Sequence, residues 1–120
     1  MEIEFQKKWD NFLIQLNHRF GQMLDVQAIL FLIGLQELGL NVDKLSKDQK
    51  LDVMHIAICT LLEPYGFYEY EGRDRDDWPH WKATAKLPRL NQMEQEKLVK
   101  KSILEYFEER NEELFQASNN

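Results

Sequence analysis

The sequence predicts a mainly α fold with a small β part: four helices, one β-hairpin between the third and fourth, and a buried second helix at the centre. Three observations carry this prediction. Apolar residues recur at steps of three and four through most of the chain. Capping residues and glycines or prolines bracket those periodic stretches. Between Phe67 and Thr84 the texture turns aromatic and partly alternating around a charged turn, which is the pattern of two short strands.

The first helix is expected over residues 4–20. Phe5, Trp9, Phe12, Leu13, Leu16 and Phe20 form one apolar face, and Gly21 supplies the stop. The second is expected over 26–38, with Asp25 as its N-cap and Gly39 as its stop. Ala28 to Ile33 cover every side of this helix. Such a helix must be covered on every side, by its own chain or by a second copy. Gly34 in its interior costs about 1 kcal/mol against alanine, so a close approach of another backbone is expected there. Ser46, with Gln49 three residues on, opens a third helix over 47–62, which Pro64 ends.

The hairpin is expected over 67–84, with Arg73 to Asp77 as its tip and Pro79 marking an edge strand. A lone hairpin is marginal in water, so its aromatics must pack on the helices. Asn91, with Glu94 three residues later, caps a fourth helix expected over 92–115. Its lysines lie toward the start and its glutamates toward the end, against the helix dipole. No repeat, low-complexity stretch or linker interrupts the chain, and one compact domain over 1–120 is expected.

At 120 residues and 43% apolar content the chain can bury a core, which excludes a disordered or collagenous class. Cys59 is the sole cysteine, so no internal disulfide forms, and its apolar neighbours predict a buried filler. The most apolar run, Ala28 to Ile33, falls far short of the roughly 20 residues of a membrane span. The start, Met1 to Lys8, lacks the apolar stretch of a secretory signal. A cytoplasmic protein without membrane or cofactor is the expectation.

Three kinds of chemistry can be weighed against this pattern. Asp52 and His55 share a helix face, as half of a carboxylate–histidine metal motif would, but no second pair completes it, and a metal-dependent enzyme is the weakest reading. Cys59 lies one turn beyond His55, near a helix C-terminus where the dipole opposes a thiolate. Asp74, Asp76 and Asp77 lack the glycine and closing glutamate of a calcium loop.

Three helices followed by a hairpin resemble the order of a winged-helix module over Ser46 to Pro88. The resemblance implies a nucleic-acid-binding or regulatory role through the basic and aromatic strip over 78–89. Fifteen basic residues against 21 acidic ones give a net charge of −6, and the acidic wing tip would repel phosphates. Both observations count against nucleic acid. Trp78 to Gln92 nevertheless carries three basic residues and no acid.

Six of the 14 aromatic residues fall between Tyr65 and Trp81. Tyrosine and tryptophan are the favoured anchors of protein interfaces. The expected function is therefore a small non-enzymatic interaction or structural protein that self-associates as a homodimer or binds another protein. Its expected interaction surface comprises Tyr68, Tyr70, Trp78, His80, Trp81, Lys82, Lys86 and Arg89.

Overall fold

Helix starts and stops follow the local signals closely. The computed structural model describes residues 2–40 and 43–110. Helix α1 spans Ile3–Phe20, α2 Val26–Leu38, α3 Lys47–Leu62 and α4 Gln92–Glu109. Strands β1 (Tyr68–Arg73) and β2 (Pro79–Ala83) form an antiparallel hairpin between α3 and α4. The fold is mainly helical with a small β part, as expected. The expected continuation of the last helix to 115 lies outside the described residues beyond 110.

Both reciprocal caps form. Ser46 accepts from the Gln49 amide while the Gln49 side chain accepts from the Ser46 amide, and Asn91 and Glu94 repeat the arrangement. Gly21 and Gly39 end α1 and α2 in the left-handed conformation, with φ of 68° and 69°. After Gly39, Leu40 folds back onto the buried Leu38, Val53 and Ile56, which is the hydrophobic contact expected of such a stop. A single 3-10 turn, Glu63–Tyr65, follows α3 and was not legible in the sequence. Pro64 lies within it, where its fixed φ and missing N–H are tolerated.

The chain divides into two compact units. One contains α1 and α4. Trp9, Phe12 and Leu16 of α1 are buried, as are Ile103, Leu104 and Tyr106 of α4. Phe12 meets Phe107 with ring centres 5.2 Å apart. Lys97 lies over Phe5 and Lys100 over Trp9, at 5.8 and 5.4 Å from the ring centres. These contacts advance together along both helices, so α1 and α4 run side by side in the same direction. The Asn17 side chain accepts from the Leu24 amide at 2.8 Å and ties down the segment after α1.

The other unit, Val26–Arg89, contains α2, α3 and the hairpin. Every apolar side chain of α2 is buried or half-buried. Gly34 marks its crossing with α3: a Cβ there would fall onto the Val53 carbonyl oxygen and within 2.7 Å of the Val53 Cγ1. The close approach expected from the interior glycine is thus present. Trp78 and Trp81 pack against the core formed by Leu38, Val53 and Ile56, so the hairpin is seated on its helices through its aromatic residues.

In the hairpin, Tyr68 pairs with Ala83, Glu69 with Lys82 and Tyr70 with Trp81. The register then shifts: Gly72 faces His80, and Glu71 becomes the extra residue of a β-bulge. Pro79 is the first residue of β2, a position that spares the ladder a missing donor. At the base, the Thr84 hydroxyl donates to the Gly66 carbonyl at 2.6 Å and its amide donates to the Phe67 carbonyl at 3.0 Å.

Candidate functional site

A cleft of about 350 Å³ opens between α3 and the hairpin. Helix α3 contributes Gln49, Asp52, His55 and Ile56. The spacing of Asp52 and His55 puts both on the same face, as the sequence indicated. The hairpin contributes Asp74, Asp76, Trp78, Pro79, His80 and Trp81. The acidic turn therefore extends into a cavity wall as well as forming a solvated tip.

Asp74 organises that wall. Its Oδ1 accepts from the amides of Asp76 at 2.9 Å and Trp78 at 3.0 Å, and its Oδ2 accepts from His80 Nε2 at 2.6 Å. The His80 bond first, and then the Trp78 amide, hold its carboxyl below the usual aspartate range. The Asp74 amide donates to the Trp78 carbonyl at 2.9 Å and the Asp77 amide to the Asp74 carbonyl at 3.0 Å, closing the loop on itself. Arg73 anchors the loop to α2. Its guanidinium donates to the carbonyls of Asp77 at 2.7 Å, Leu38 at 3.0 Å and Glu37 at 3.3 Å. The last two are carbonyls of the final turn of α2, where a cation satisfies acceptors that the helix leaves open.

On the other side of His55, its Nε2 lies 3.4 Å from the Cys59 sulfur. Burial, and then the Glu63 carboxylate, push the Cys59 thiol up to about 11. A thiol in that range stays protonated at neutral pH and offers no ready nucleophile. Tyr68 stands edge-on to His55 with ring centres 6.1 Å apart, and burial raises its hydroxyl above the ordinary tyrosine value. Among the described residues, no three His, Cys, Asp or Glu side chains converge so as to hold a metal ion.

The expected interaction residues fall in different places. Trp78, His80 and Trp81 line the cleft. Tyr70 packs against Trp81 at 5.2 Å between ring centres and is 49% exposed. The Trp81 indole N–H donates to Glu63 at 2.6 Å. Tyr68 is half-buried against α3. Lys82 lies 3.9 Å from Glu69 across the strands, while Lys86 and Arg89 are exposed. None of these three basic residues lines the cleft. The sequence did not single out Gln49 or Asp76 as members of a site. For Asp74 and Asp76 the usable signal is turn chemistry, since an aspartate accepting from the amide two residues on is a recurrent loop device.

The chain matches no family model, no curated protein and no solved structure. No helix among the described residues is long and apolar enough to cross a membrane.

Proposed function

We propose that the chain is a small non-enzymatic interaction domain that engages another protein through the α3–hairpin face. The cleft carries this reading: it is an open cavity of about 350 Å³ bounded by two tryptophans and several polar side chains, with the half-exposed Tyr70 packed at a tilt beside Trp81. Concave, partly aromatic surfaces with a few fixed polar groups are where binding energy concentrates. The fixed polar group here is the Asp74–His80 pair, which the loop amides hold in place. The protonated Cys59 thiol supports a binding role over nucleophilic chemistry. Three carboxylates in the cleft weigh against a phosphate backbone as its occupant.

Self-association is one form that such binding takes. The covered state of α2 removes the bare apolar helix as its motive, leaving exposed side chains such as Leu51 and Tyr70 to support it. Selection from a displayed random-peptide library against the full chain tests the reading. The expected result is an enriched motif whose binding drops at least tenfold with Tyr70→Ala or His80→Ala. No enrichment, together with a strict monomer in light scattering at high concentration, would overturn it.

A further inference from the structure

The cleft combines two kinds of group that suit one kind of ligand. Asp52 enters from α3, and Asp74 and Asp76 enter from the hairpin loop, beside Trp78 and Trp81. No lysine or arginine is among the residues that line it. The nearby Arg73 guanidinium is turned away, onto the carbonyls of Glu37, Leu38 and Asp77. Asp74 already serves His80 and two loop amides. Among the described residues, no hydrogen bond or ion pair engages the carboxylates of Asp52 and Asp76.

With Asp74 taken up by His80, the carboxylates of Asp52 and Asp76 are left to attract a cation, and indole rings add attraction for a cation placed over their faces. A guanidinium satisfies both needs. Its planar fork pairs with carboxylates while its flat surface stacks on aromatic rings. An ammonium is a point charge that meets the carboxylates but does not stack. We propose that the cleft receives an arginine side chain of a partner protein. This rests on the reading of the chain as an interaction domain and names the chemistry of its partner.

The test uses the full chain and acetyl-Gly-Arg-Gly-amide, followed by the indole and backbone amide NMR signals. The Trp78 and Trp81 indole signals and the amides around Asp52 and Asp76 should shift together on titration. The matched citrulline peptide, isosteric but neutral, should bind at least tenfold more weakly, and the lysine peptide several-fold more weakly. Asp52→Asn and Asp76→Asn should each weaken the arginine peptide several-fold while the circular dichroism spectrum stays unchanged. Equal binding of the citrulline or lysine peptide, or no effect of either variant, overturns the proposal. So does a concentration-dependent shift of the same amides without peptide, which would assign the cleft to a second copy. If the arginine peptide fails while a library-selected peptide still shifts these signals, the interaction reading stands and only the arginine proposal falls.

Discussion

The α2–α3 pair closes backbone to backbone, whereas the α1–α4 pair closes ring to ring. At Gly34 the Val53 carbonyl and Cγ1 occupy the space where a side chain would begin, and neither side can yield without moving a helix. Between α1 and α4 the contacts are Phe12 on Phe107 and lysines laid over Phe5 and Trp9. Rings and long stems can turn or slide by fractions of an ångström. The lesson is that sensitivity to substitution depends on what surrounds the altered atoms more than on how many atoms change.

The largest expected effect breaks the tighter pair. Gly34→Ala adds one carbon and gains about 1 kcal/mol of helix propensity. Its clash with the Val53 backbone should nevertheless cost about 3 kcal/mol or more, at the upper end for an overpacked core. Urea unfolding reads this directly, and a midpoint equal to or above that of the parent would show that the crossing can open.

Phe12→Leu is the matching change in the looser pair. It removes several carbons, yet it should cost only about 1 kcal/mol because a flexible apolar side chain can refill part of the ring's place. A loss exceeding that of Gly34→Ala in the same unfolding experiment would reverse the comparison.

Lys100→Met sharpens it further. Lys100 is buried, with its ammonium 3.2 Å from Glu96 and over the Trp9 ring. Methionine keeps the apolar stem and loses the charge, so a drop of about 0.5–1 kcal/mol is expected. Thermal unfolding of this variant alongside Glu96→Gln separates the ring contact from the ion pair.

The smallest effect belongs to the hairpin loop. Asp74 is depressed in the folded protein, so its support of the loop is fully present above the ordinary aspartate range. It is lost as pH falls through the lower folded value. The Asp74 side-chain carboxyl signal should therefore titrate with a midpoint below the ordinary aspartate range. A midpoint within or above that range would show that the Asp74 bonds do not persist.

Much of the framework was legible because its causes are local. Ser46 with Gln49, and Asn91 with Glu94, form caps from residues three apart, and Gly21 and Gly39 stop helices through their own backbone freedom. Even the close crossing at Gly34 had a local sign, since a glycine inside a helix needs a reason. Less could be read where the cause lies far along the chain. The bulge at Glu71 depends on β2, and the burial of Lys100 depends on Trp9 and its neighbours. Arg73 looks like part of a charged tip until the end of α2, some 35 residues earlier, is brought beneath it.

By itself, then, the sequence determined where the four helices begin and where the first three end, the hairpin and the aromatic seat that holds it, because each follows from periodicity, capping and turn chemistry within a few residues. Tertiary structure alone decided which helices pair and that Asp52 and His55 share a cleft with Asp74, Asp76 and His80. It also left Lys82, Lys86 and Arg89 out of the cleft that Trp78, His80 and Trp81 line. Periodicity tells which face of an element is apolar, but not which other face it will meet. A site assembled from α3 and a hairpin loop exists only once that choice is made.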